Sequence, residues 1–323
     1  MRWQMSLSIL AAVFFTAMLT RFHEPSHGEE RIERSAGPVG SPEGRYNKQL
    51  WWIPVASPGK TSQKLLLETM IYSPPGSGPF PLVTINHGKP HPGSDLRSVT
   101  PDFETAAHWF VDRGFIVAVP LRRGYGRSEG VESDMVGTCA TLNYVATSEQ
   151  TGIDIEGVIA FLATKKMVDG DKVVVVGHSH GGFGALSVAA GSHKGVRGIV
   201  NFAGGTGSWG LFNAMQWPRR IMQGRLCNGR ENLLSALRQL GERNALPQLW
   251  LYAINDKTFP PELAQTMLEA YRDRSRFPIS FVALPASPVN GHLVLAQGDA
   301  STWGPSVDQF LQSLRIPGYR AIR

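Results

Sequence analysis

The stretch Val173-Val174-Val175-Val176-Gly177-His178-Ser179-His180-Gly181-Gly182 constrains this chain more than any other. Four consecutive valines predict a strand buried on both faces, as in a central parallel strand covered by helices, and the small-residue run 181–190 predicts a helix directly after it. Between them, Gly177-x-Ser179-x-Gly181 matches the nucleophile elbow, a strained strand-to-helix turn in which the positions two before and two after the serine must lack bulk. Ser179 then stands clear of the sheet at the positive end of a helix, where developing negative charge is stabilised. The bland alternative is a glycine-rich turn with an inert serine. The strand before it and the helix after it argue for the catalytic reading.

Around this stretch strands and helices alternate. Strands are predicted over 49–55 and 64–72, an antiparallel pair across Ser57-Pro58-Gly59, and then over 82–86, 115–120, 198–203, 248–253 and 279–284. Helices are predicted over 101–113, 147–165, 261–272 and 305–314. The alternation implies a mostly parallel, twisted α/β sheet of about eight strands flanked by helices, with ligands at its carboxyl edge. Residues 206–245 interrupt the rhythm: they hold Trp209, Phe212, Trp217 and Cys227 and a helix near 231–240, but no strand. Such an insertion after the sixth strand reads as a small cap over the site. Its three aromatics either line a pocket for an apolar group or pack the cap onto the core.

Residues 1–22 carry one early positive charge, Arg2, and then an uncharged apolar run over 5–20. The run is short for a spanning helix and suits a signal-peptide core. Ala17 is available for cleavage but no clean small-x-small triplet precedes Arg21, which leaves an uncleaved membrane anchor as the alternative. Residues 23–45, charged and rich in turn formers, read as a flexible linker, and 46–323 as the catalytic domain. Export to an oxidising compartment fits a bridge between Cys139 and Cys227, worth about 4 kcal/mol in the chain-entropy model; two separate buried thiols are the alternative. The net charge of +6 and pI of 9.4 come from basic residues scattered apart from Arg122-Arg123 and Arg219-Arg220, with no lysine/arginine run, which argues for solubility or a mild preference for anionic surroundings and against nucleic-acid binding.

A serine hydroxyl attacks only if a base takes its proton, and the base needs an orienting acid. Nine histidines are available, so position has to choose. His292 lies in the loop after the last strand and Asp256 ends the strand before it, and Ser179, Asp256, His292 is the chain order expected of a nucleophile-elbow hydrolase. Two backbone donors are also needed for the oxyanion. One is the N–H of His180, directly after the nucleophile; the other is assigned to Lys89, because Gly88 permits close approach and Pro90 has no N–H. The side chain of Lys89 reads as solvated. His178 and His180 flank the turn too closely to share one ion, and no Cys, Asp or Glu set accompanies them, so no metal is expected. His87 reads as a loop-locking hydrogen bonder.

With these residues in place the chain resembles the α/β-hydrolase superfamily, specifically bacterial dienelactone-hydrolase-like and prolyl-oligopeptidase-like (S9) serine hydrolases. The resemblance rests on Asn86-His87-Gly88, Arg123-Gly124-Tyr125-Gly126-Arg127-Ser128, Gly177 to Gly182, Trp250 to Asp256, and Gly291-His292. It implies an α/β-hydrolase fold and a cofactor-free hydrolase acting on a small-molecule ester, with membrane contact only through an uncleaved amino-terminal segment. Dienelactone hydrolases use a cysteine nucleophile where position 179 is serine, which favours ordinary ester hydrolysis. S9 peptidases carry a β-propeller and an acidic pair for a peptide amino terminus, and neither is seen here. An aminopeptidase or amidase is the enzymatic alternative. A non-catalytic binding protein on the same scaffold is the other.

Overall fold

The computed structural model describes residues 34–57, 60–90, 93–100, 103–191, 194–207, 226–288 and 290–316, without the side chains of 60–62. The proposed signal, the cap aromatics Trp209, Phe212 and Trp217, and the first part of the linker lie outside these residues.

A nine-stranded sheet runs in the order β1-β2-β3-β5-β4-β6-β7-β8-β9. Its antiparallel edge comprises β1 (Gly37–Glu43), β2 (Lys48–Ser57) and β3 (Lys60–Tyr72), and β3 pairs antiparallel with β5 (Ile116–Pro120). From β5 onward every pairing is parallel, through β4 (Phe80–Asn86), β6 (Val168–His178), β7 (Val196–Phe202), β8 (Gln248–Ala253) and β9 (Ile279–Leu284).

The four valines of β6 show why the second half of that strand is apolar without a break. Val174 and Val176 enter one core, shared with α1 (Glu104–Asp112) and α7 (Ala300–Ser313); Val173 and Val175 enter a second, shared with α2 (Tyr144–Leu162) and α3 (His180–Ala190). A third core on this latter side packs α3 against α4 (Arg230–Glu242) and α5 (Pro261–Arg272) over Trp250 and Tyr252 of β8. A period-2 strand with helices on both faces has no solvent face to be polar on. The short α6 (Val294–Gln297) follows the loop after β9.

Three expectations need correction. The sheet has a ninth strand, β1, inside the stretch read as linker 23–45, so the folded body begins before residue 46. All but the first residue of β1 are exposed, and backbone pairing with β2 holds it, which hydrophobic periodicity does not register. Helix α4, assigned to the cap 206–245, buries Leu233, Leu237 and Leu240 among α3 and α5 and belongs to the flanking layer. Helix α7 starts at Ala300, with Asp299 as its cap, so Pro305 lies inside it and does not open it.

Candidate active site

The elbow joins β6 to α3. Ser179 holds φ 53° and ψ −119° there, a strained conformation worth about 1–3 kcal/mol for a residue bearing a side chain. Glycines make room for it: a methyl group on Gly177 would lie 2.4 Å from the carbonyl oxygen of Gly181, and one on Gly181 would lie 2.3 Å from that of Asn86. The end of β7 holds the strained residue, since Ser179 N–H donates to the Phe202 carbonyl at 2.9 Å and Gly205 N–H to the Ser179 carbonyl at 3.0 Å.

His292 occupies a short 3-10 turn, Gly291–Leu293, after β9, and Asp256 follows β8. Nε2 of His292 is 2.9 Å from Ser179 Oγ, and its Nδ1 is 3.1 Å from Asp256 Oδ2. A carboxylate only accepts, so the proton belongs on Nδ1 and Nε2 is left to accept from the serine hydroxyl. The other oxygen of Asp256 accepts the N–H groups of Thr258 at 2.7 Å and Phe259 at 2.9 Å, which fixes the carboxylate plane. Three residues far apart along the chain thus converge on one hydrogen-bonded line. Ser179 retains 8% exposure at its end.

His180 opens α3, with its N–H at the helix amino terminus. Gly88 brings the loop after β4 against the nucleophile, because a methyl group on it would lie 2.9 Å from Ser179 Cβ. Lys89 is exposed, and its ammonium pairs with Glu132 at 2.9 Å at the surface. Both flanking histidines have structural partners. His178 Nε2–H donates to the carbonyl of His292 at 2.7 Å, while Asn290 Oδ1 accepts His292 N–H at 3.1 Å, so the backbone of the base is held from both sides. The His180 ring bridges Thr151 of α2 and Thr206 after β7, each at 2.8 Å. Burial pushes the pKa of His178 down to about 3 and that of His180 to about 4, so both are neutral near pH 7.

Sequence reasoning missed a buried polar cluster beside the loop after β4. Arg122 forks onto Asp134 at 2.9 and 2.7 Å, and Tyr125 donates to the same carboxylate at 2.6 Å. Burial opposes ionisation of Asp134, but Arg122 holds its pKa well below the usual carboxylate range. The Arg122-Arg123 pair was visible in sequence; its acidic partners were not, because they lie on other segments. Among the described residues no group of three or more His, Cys, Asp or Glu is arranged to hold a metal ion. A disulfide joins Cys139 to Cys227, and Cys227 N–H donates to the Gly207 carbonyl at 2.8 Å.

A sequence profile of the X-Pro dipeptidyl-peptidase (S15) family matches residues 64–277. No curated protein sequence matches the chain. Among solved structures, the chain is similar to an esterase of Pyrococcus furiosus, with TM-score 0.56 at 12% identity over 87% of this chain and 98% of that one. An acetyl xylan esterase of Paenibacillus sp. R4 gives TM-score 0.56 at 15% identity over 86% and 88%. A puromycin-hydrolyzing peptidase of Mycobacterium tuberculosis gives 0.56 at 16% identity, over 86% of this chain but 41% of that one. The fold is that of the α/β-hydrolases, and the chain is a serine hydrolase.

Proposed function

The chain belongs to the X-Pro dipeptidyl-peptidase (S15) family, and on that premise we propose that this serine hydrolase cleaves carboxylic esters through an acyl-enzyme. Ser179 attacks the carbonyl carbon while His292 takes its proton, and Asp256 keeps the imidazole in the required tautomer. The amides of His180 and Lys89 receive the oxyanion. His292 then protonates the departing alcohol, and a water activated by the same imidazole releases the acid. The observation that carries this reading is the line Asp256–His292–Ser179, at 3.1 and 2.9 Å. Ester preference draws support from the likeness to the two esterases, which extends over most of their chains, whereas the peptidase is matched over 41% of its length. An export role rests on the apolar run of residues 5–20 and on the Cys139–Cys227 disulfide, a bond favoured in oxidising compartments.

The test is turnover of p-nitrophenyl acetate, together with labelling by a fluorophosphonate. The native chain should do both, and Ser179→Ala should do neither. Unchanged turnover in the variant would refute the assignment, and a native chain inert to both reagents would indicate a binding protein on this scaffold. The family description favours a second reading, amide cleavage after a short peptide. A panel of aminoacyl amides set against aryl esters separates the two by kcat/KM.

A further inference from the structure

The loop His87-Gly88-Lys89 is gripped by its carbonyls. Arg122 Nη1 donates to the carbonyl of His87 and Nη2 to that of Gly88 at 3.5 Å, and the Gly88 carbonyl also accepts His87 Nδ1–H at 2.7 Å. The ring of His87 has one tautomer consistent with this: its Nε2 accepts the Arg122 backbone N–H at 3.1 Å, so Nδ1 carries the proton. Burial, with Arg122 alongside, pushes the pKa of His87 down to about 3, which keeps that tautomer neutral. Asp134 fixes the guanidinium, and the circuit closes through Glu132, whose Oε1 accepts both Asp134 N–H at 3.0 Å and Lys89 Nζ at 2.9 Å.

In a trans peptide the C=O of one residue and the N–H of the next point in opposite directions. With the Gly88 carbonyl drawn toward Arg122 and the His87 ring, the Lys89 N–H faces away from them. Gly88 itself lies against Ser179. A reversed peptide would present a carbonyl oxygen to the developing oxyanion in place of a donor.

We infer that Arg122 and His87 are positioning residues that clamp the Gly88–Lys89 peptide in the orientation that makes its N–H an oxyanion donor, so the hole is formed before substrate arrives. The inference rests on the ester-hydrolase reading above and adds to it what sets the second donor. Asp134, Tyr125 and Glu132 act through Arg122 and Lys89.

The test compares Arg122→Lys and His87→Ala with the native chain, using p-nitrophenyl acetate, the rate of fluorophosphonate labelling, inhibition by a phenyl trifluoromethyl ketone, and a thermal melt. Loss of an oxyanion donor lowers kcat by about 100-fold. Arg122→Lys, which keeps a cation for Asp134 but no fork, should approach that loss with KM within about 3-fold of native. The inhibition constant of the ketone, whose adduct carries the oxyanion, should rise in proportion to the fall in kcat/KM, while the acidic limb of the pH–rate profile keeps its midpoint. His87→Ala leaves the Arg122–Asp134 pair intact and should lose about 10-fold in kcat with the same proportionality. It decides the matter if Arg122→Lys does not fold. Native kcat and labelling rate in His87→Ala overturn the inference, as does a loss of kcat with no change in ketone affinity. If Ser179→Ala is inactive while both clamp variants are native-like, only the clamp falls; if Ser179→Ala is active, the hydrolase reading falls with it.

Discussion

Arg122 and Arg123 leave β5 side by side, are both buried, and each fork onto an aspartate, yet they enter two regions with different tasks. Arg122 turns to the carboxyl rim, pairs with Asp134 and gives its remaining donors to the carbonyls of the loop beside Ser179. Arg123 turns to the seam where α2 crosses the antiparallel edge. Its Nε binds Asp154 of α2 at 3.0 Å, its N–H reaches the same carboxylate at 3.0 Å, and Nη2 reaches the Ala56 carbonyl of β2 at 3.3 Å. That seam is tight, since a methyl group on Gly157 of α2 would lie 2.7 Å from Val55 Cγ1. The comparison teaches that a buried ion pair by itself does not reveal a role. The third partner decides whether the pair serves the reaction or the fold.

Four measurements break or sharpen this contrast. The largest effect belongs to the rim: Ser179→Ala should lower kcat by roughly 10⁴-fold or more while the melting temperature stays near native, and a comparable fall in stability would mean the elbow is structural first. Next comes the seam, where Arg123→Met leaves Asp154 buried without its partner and should cost about 4 kcal/mol of unfolding free energy in denaturant titration. Its kcat per folded molecule should remain near native. A loss of kcat like that expected of Arg122→Lys would erase the distinction between the neighbours. The double variant Cys139→Ser/Cys227→Ser removes a crosslink spanning 88 residues and should cost about 4 kcal/mol, read by the same titration. The fourth measurement is of stability against pH. His87, His178 and His180 have pKa values lowered to about 3, 3 and 4, so the native state leaves them neutral where the unfolded chain binds protons. Their stabilisation is complete above about pH 6.5 and declines as the pH falls toward 4, by about 1.4 kcal/mol per pH unit for each proton. Unfolding at pH 5 should take up about three protons from this set, measurable as the slope of stability against pH; a flat profile there would mean the rings are solvated.

Much of this molecule is legible in the sequence because its signals are local. Four valines before Gly177 and small residues after Gly181 report a doubly covered strand and a helix, and the ends of β8 and β9 point to Asp256 and His292 through topology. What remained hidden has no period. Strand β1 is made by pairing alone, with nearly every side chain in solvent, so its prolines and glycines read as linker. The partners of Arg122, Arg123 and Lys89 are single acids in a loop or on another helix, and only the closed fold brings Asp134, Asp154 and Glu132 to them. His178 drew notice as half of a histidine pair, whereas its contact is a backbone carbonyl 114 positions away, which no spacing rule encodes.

The hydrogen bond between Cys227 and Gly207 has a bearing on how such a chain diversifies. Gly207 and Cys227, the ends of the chain between them, already touch, and Cys227 is moored a second time to Cys139. Lengthening or exchanging a stretch with coincident ends adds little closure entropy, and no strand need shift to admit it. Thr206, one residue before the departure point, is bonded to His180 next to the nucleophile. The junction is thus a socket at which new sequence can be tried within reach of the reaction while the machinery that performs it is inherited intact.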